Sequence, residues 1–232
     1  MKTKLCLLFV ISILMAGCFA PLNLTYDSAK TLDKGQLEIK GAYSRYYYAS
    51  DTLSTSLINQ NYGISIGYGI SDRYTMKVKY EYIDPTITFQ KVFGEINSDF
   101  TGMNSMSYIE IDNKLMFVKN NISLSLPAGV YFYNTKVLDQ AKGGMGWFSF
   151  DPRLYLTFFR STKIFELSVI PKLHCLFGSF GGYVMPGISV GMGFSSNLDK
   201  WSIRPEFGYD RYLSFGVGAT ININTIKKAE PK

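Results

Sequence analysis

From Gln36 to Ile223 the chain alternates apolar and polar residues with a period of two. In Tyr74–Tyr82, "YTMKVKYEY", the odd member of each pair is aromatic or aliphatic, and Thr75, Lys77, Lys79 and Glu81 lie between them. Such alternation is the mark of a β-strand with two unlike faces. Ten segments carry it: 36–48, 61–70, 74–83, 107–118, 122–133, 147–159, 164–177, 183–195, 201–209 and 212–223. An even number of antiparallel strands suits a closed barrel. The connections after the second, fourth, sixth and eighth strands are short. Those after the first, third and fifth are longer, and Asp84–Met106 is the longest. Short turns at one end and long loops at the other are the habit of outer-membrane barrels, with the short turns in the periplasm.

Alternation alone also fits a soluble barrel. The apolar face decides for the membrane. It is aromatic near strand ends and often aliphatic between them, as in Tyr62–Ile64–Ile66–Tyr68 and Trp201–Ile203–Pro205–Phe207–Tyr209. Aromatic girdles of this kind belong at the two membrane interfaces. The polar face is rich in small residues, among them Gly63, Ser65, Gly67, Gly187, Ser189, Gly216 and Gly218. A solvated exterior would carry more charge. The reading is an all-β, up-and-down antiparallel transmembrane β-barrel of about ten strands, with Lys77 and Lys79 turned into the lumen opposite Gly67 and Ser65.

Inward charges then balance. Lys40, Lys77, Lys79, Lys114, Arg153, Lys172 and Arg204 meet Glu38, Glu81, Glu110, Asp112, Asp151, Glu166 and Glu206. Buried charges require partners. Register counting sets Lys172 opposite Asp151, with Gly216 and Gly218 leaving room for Glu206 and Arg204. A lumen filled in this way leaves little space for an aqueous channel.

Composition agrees. Charged residues are 18% and aromatics 16% of 232 residues, and the net charge of +6 comes with no basic run, so nucleic acid is excluded as a partner. Phosphate loops, metal spacings and dinucleotide motifs are absent, and no cofactor is expected.

The N-terminus reads as an address. Lys2 and Lys4 precede an apolar run, Leu5–Met15, which is too short to span a bilayer. Ala16-Gly17-Cys18 follows and resembles a bacterial lipobox, whose cysteine is acylated; Met15 stands where Leu, Val or Ile is usual. The alternative cut, after Ala20, would leave Pro21 first. The expected division is a signal peptide at 1–17, a periplasmic segment at 18–34, the barrel at 35–225 and a polar periplasmic tail at 226–232. Both termini are expected in the periplasm, with the lipid on Cys18 in the inner leaflet.

"YDSAKTLDKGQLEIKGAYS", "YGISDRYTMKVKYEY", "SLSLPAGVYFY", "FDPRLYLTF" and "WSIRPEFGYD" resemble outer-membrane β-barrels of Gram-negative bacteria, especially the lipobox-bearing type common in Bacteroidetes. The resemblance covers Leu22–Ile223. It implies a fold, a place in the outer membrane, and outer-membrane lipids and the insertion machinery as partners. It implies no activity. Such barrels often end on an aromatic residue, whereas the last strand here ends at Ile223.

Two features invite chemistry. His174, the single histidine, faces inward and by register counting lies opposite Ser149, near Asp151. These are the ingredients of a triad, although a lone histidine in a polar lumen is more often a packing member, and no omptin-like acidic and His–Asp set is present. Second, Pro127, Pro152, Pro171, Pro186 and Pro205 lie at similar depth in five neighbouring strands. Proline cannot donate to the ladder, so this wall should either bulge or part. The leading expectation is a non-enzymatic structural or surface-binding envelope protein whose external ligand the sequence does not name. The alternatives are passage of small apolar molecules, through the wall or the lumen, and a lipid-modifying enzyme.

Overall fold

The computed structural model describes residues 25–50, 55–89, 105–137, 140–158, 164–178, 181–210 and 212–225. The strands are β1 (Gln36–Ser50), β2 (Thr55–Ser71), β3 (Tyr74–Phe89), β4 (Met106–Val118), β5 (Ile122–Ser125) and β6 (Ala128–Val137). They continue as β7 (Gln140–Phe150), β8 (Arg153–Phe158), β9 (Phe165–Gly178), β10 (Gly181–Phe194), β11 (Trp201–Tyr209) and β12 (Leu213–Asn224). β5 and β6 form one stave broken at Pro127, and β7 and β8 form another broken at Pro152. Register is the same on both sides of each break: Ser125 pairs with Arg153, and Ala128 with Phe150. The result is ten antiparallel staves, closed where β1 meets β12. Closure leaves the sheet no free edge along its length.

The hairpins at the end opposite the termini are longer than the sequence suggests. β1 and β2 pair out to Ser50 and Thr55, and β6 and β7 to Val137 and Gln140. Two of the three expected long loops are therefore mainly ladder. The alternation fades there because both faces of a ladder beyond the bilayer meet water, yet the backbone keeps pairing. The remaining part of Asp84–Met106, residues 90–104, lies outside the described residues.

The two faces separate cleanly. Ile64, Ile66, Val78, Ile111, Phe207, Phe215 and Ile221 are exposed on the outside, while Glu81, Glu110, Lys114, Glu166 and Glu206 are fully or almost fully buried inside. Lys77 lies opposite Gly67 and Lys79 opposite Ser65. Tyr62, Tyr43 and Tyr82 form a ring-to-ring row on the outer surface, with centroids 5.2 and 6.5 Å apart. The inward face is not polar throughout. Ile83, Met106, Tyr108, Tyr131 and Leu176 cluster in the half away from the termini, packed with Trp147, Tyr183 and Met185. Tyr108 and Tyr131 stand 4.5 Å apart, and Trp147 stacks on Tyr183 at 5.5 Å.

The prolines neither bulge nor part the wall. Register shifts occur at Gly69/Ser71, Met116/Val118 and Tyr131/Phe132, away from every one of them. The Pro127 carbonyl accepts from Asp151 N–H and the Pro152 carbonyl from Leu173 N–H, both at 3.0 Å. Pro171, Pro186 and Pro205 keep their places opposite Ile188, Leu173 and Val217. A proline withholds one donor on one side only, so a rung is lost without any slip of the strands.

Candidate functional site

Residues 25–34, the described part of the segment expected in the periplasm, lie inside the barrel. From Lys34 the chain runs inward, away from the end that carries both strand termini, and reaches Thr25 deep in the lumen. The turn between lumen and wall is made at Gly35, whose φ of 73° suits glycine. Its N–H donates to the Gly69 carbonyl at 2.8 Å. Gly69 has no room for a side chain, because an added Cβ would stand 2.1 Å from the Asp33 carbonyl oxygen.

This segment is bonded to the wall at nearly every residue. At the mouth Thr31 Oγ1 donates to the Asp72 carbonyl at 2.7 Å, and Lys30 pairs with Asp199 at 2.6 Å. Higher up, Leu32 N–H donates to Thr75 Oγ1 at 2.8 Å and Ala29 N–H to Thr157 Oγ1 at 2.7 Å. The Glu206 carboxylate accepts from the N–H groups of Thr25 and Tyr26 at 3.3 and 2.5 Å. Tyr26 holds a left-handed φ of 51°. Its neighbours over-determine that strained geometry: Tyr26 Oη donates to the Tyr43 carbonyl at 2.9 Å, and the ring lies over Gly216 and Gly218. A Cβ on Gly216 would approach Tyr26 Oη to 2.0 Å. Gly216 and Gly218 lie opposite Glu206 and Arg204 as register counting expects, and the room they leave is taken by Tyr26 as well.

Asp27 is the electrostatic centre. Lys77 Nζ lies 2.6 Å from its carboxylate, Lys114 Nζ 3.3 Å and Lys40 Nζ 3.6 Å. Burial by itself would raise the Asp27 carboxyl, but Lys114, Lys40 and Lys77 outweigh it and hold the group well below its ordinary value of 3.8. Glu38 shares Lys77 at 2.7 Å and Lys40 at 3.5 Å. Lys114 also donates to the Ser28 carbonyl and sits 4.4 Å over the Tyr155 ring. Three strands, β1, β3 and β4, thus converge on one side chain of the internal segment.

The other charges form separate groups. Arg153 makes a two-pronged pair with Glu110 at 3.2 and 2.8 Å. Lys79 bridges Glu81 at 2.7 Å and Glu110 at 3.4 Å. Arg204 pairs with Glu166, and Ser125 donates to Asp112. Lys172 does not pair with Asp151. It lies opposite Arg153 and reaches Asp210 at 3.1 Å. Asp151 contacts His174 Nδ1 and accepts from Tyr108 Oη at 3.3 Å. The centre of the turn between β8 and β9 falls one residue later than counting suggests, so each partner shifts by two while every side chain keeps its face.

The same shift sets Ser149 opposite Leu176 instead of His174. Its hydroxyl bonds to Tyr108 Oη at 2.7 Å. A triad needs the imidazole Nε2 on the serine hydroxyl, and His174 Nε2 is buried with no hydrogen-bond partner among the described residues. Base and nucleophile are not coupled. Cys18 lies outside the described residues.

No protein-family model matches the chain, and no curated protein does. Among solved structures, an outer-membrane channel from Pseudomonas putida F1 is 7% identical, covers 87% of this chain and 100% of its own, and has a TM-score of 0.49. The β domain of the Bordetella autotransporter BrkA is 11% identical, with 82% and 100% covered and a TM-score of 0.46. For the KdgM porin the values are 10%, 79%, 98% and 0.41. All three are bacterial outer-membrane β-barrels. The likeness is one of fold. The closed internal segment was not legible in the alternation pattern. The available signal was the row of small inward residues on β2 and β12, which leaves a volume that the wall's own side chains do not fill.

Proposed function

We propose that this chain is an outer-membrane barrel whose lumen is closed by its own N-terminal segment, and that it serves the envelope as a non-enzymatic structural or surface-binding protein. The observation that carries this reading is Asp27, latched to Lys40, Lys77 and Lys114 in mid-lumen. A path for ions would have to displace it, and the apolar cluster around Tyr108 and Tyr131 lies further along the same path. The short turns at Asp72–Arg73 and Lys119–Asn121 lie at the end where β1 begins and β12 ends, and this reading assigns that end to the periplasm because short turns are the habit there. Outer-membrane lipids and the insertion machinery are the partners this reading requires. In planar bilayers the purified protein is expected to stay silent. Steady unitary conductance from the wild type would sink the reading.

Cys18 acylation is part of the proposal and is tested separately. Cells fed a tagged palmitate should label the wild type and not Cys18→Ser. Equal labelling of both would remove the lipid anchor and leave the barrel untouched.

A further inference from the structure

Among the described strand side chains, the outward face carries one base. Arg45 of β1 is exposed there, opposite Phe215 of β12 and Gln60 of β2. It has no ion-pair partner among the described residues. Asp84, the other outward charge among them, lies opposite Gln60 on β3, one strand further on.

The depth of Arg45 follows from the strand. β1 starts at Gln36, nine residues below it. That is about 30 Å along the strand, and about 23 Å along the axis of a barrel whose strands tilt by about 40°. The apolar band of an outer-membrane barrel is about 25 Å tall, so Arg45 stands at its outer edge. The Tyr43–Tyr62–Tyr82 row lies one outward step below, where an interfacial girdle belongs. A cation at this level meets lipid head groups.

The surface beside it has a shape. An open groove of about 490 Å³ lies on the outer face of the paired β1–β12–β11 ladder, lined by Arg45, Tyr47, Phe207, Leu213 and Phe215. Phe207 and Phe215 have ring centroids 4.8 Å apart, and both are half exposed. Below the groove the outward residues of β12 become smaller. Val217 is followed by Ala219, opposite Gly41, and a Cβ on Gly41 would meet nothing within 4 Å. Tyr43, the large side chain next to this furrow, is drawn towards β2. Its ring is 5.2 Å from Tyr62, and its hydroxyl donates to Gln60 Oε1 at 3.2 Å. The Tyr62 hydroxyl donates to the same oxygen at 3.2 Å, which leaves the NH2 of Gln60 as its free donor, on the strand next to Arg45.

We infer that this face binds a phosphorylated lipid of the outer leaflet, with its phosphate on Arg45 and Gln60 and one acyl chain running from the Phe207–Phe215 pair down the furrow at Gly41. A guanidinium suits the phosphate because it offers two parallel N–H bonds to its oxygens, and a base without an acid of its own leaves the charge to be met by the ligand. The inference rests on the outer-membrane reading, which puts this end of the barrel outside. It narrows outer-membrane lipid from a surrounding solvent to one seat on the β11–β12–β1 face.

Nuclear magnetic resonance of the folded barrel in maltoside micelles tests this, with dodecyl phosphate as the probe. The Arg45 Nε–H and the amides of Phe215, Val217 and Ala219 should shift saturably, while the amides of Val78 and Ile111 stay in place. Arg45→Gln should weaken binding about tenfold, as loss of a charge-assisted pair does, and Arg45→Lys should recover part of it. Gly41→Leu should weaken binding with Arg45 intact, because it fills the furrow. Equal affinity in the wild type and either Arg45→Gln or Gly41→Leu overturns the inference. So does an equally tight response to inorganic phosphate, which would mean an adventitious ion only, or equal shifts all round the barrel. Each altered position is exposed, and heat-resistant mobility on a gel confirms that the variants are folded. A protein that stays folded and dispersed without any micelle would sink the outer-membrane reading itself, whatever dodecyl phosphate does.

Discussion

Asp27→Asn is expected to destabilise the barrel by about 3–5 kcal/mol, the usual cost of removing one partner from a buried charge group. The substitution keeps the shape of the side chain and removes its charge. Lys40, Lys77 and Lys114 then face one another with Glu38 as their nearest remaining acid. Unfolding in urea from detergent micelles measures the loss, and trypsin cleavage at Lys30 and Lys34 reports release of the segment. Combining Asp27→Asn with Lys114→Met should recover part of the stability, because it removes the base whose one ion-pair partner among the described residues is Asp27. An unchanged urea midpoint for Asp27→Asn would mean that the segment is held by its backbone bonds alone. Acid should act differently from the mutation. The folded carboxyl is held below 3.8, so its contribution is present above that value and is lost only as the pH falls through the lower, folded value. Acidification from pH 7 to about 4 should therefore leave the latch closed.

Val78→Arg should block assembly. Val78 lies on the outward face between Ile66 and Ile111, and it is 49% exposed where lipid is expected. An arginine facing the hydrocarbon at mid-depth costs about 2–4 kcal/mol. Val78→Leu changes volume without charge and should be tolerated. Heat-modifiable mobility on a gel separates folded from unassembled protein. A Val78→Arg protein that resists heat like the wild type would show that this face meets water, and the lysines beside it would then need a different explanation.

The alternation of side chains was enough to determine that the chain forms about ten antiparallel strands, which face is apolar, and that Lys77 and Lys79 turn inward. The backbone enforces this: successive side chains point to opposite faces, and a slip of one residue would turn a charged row into lipid. The number of staves survives even the breaks at Pro127 and Pro152, because the alternation runs through them. The pairing of charges was not determined in this way. Moving a turn centre by one residue changes every partner by two and no face, so Lys172 found Asp210 and Asp151 found His174. Parity is local information, whereas register depends on the geometry of a turn.

The internal segment belongs to the tertiary structure alone. Residues 25–34 have no periodicity, because their partners sit on Thr75, Thr157 and Glu206 of three distant strands. A pattern read along the chain contains each strand, but the space they enclose and the height at which each one stops follow from closing the ring.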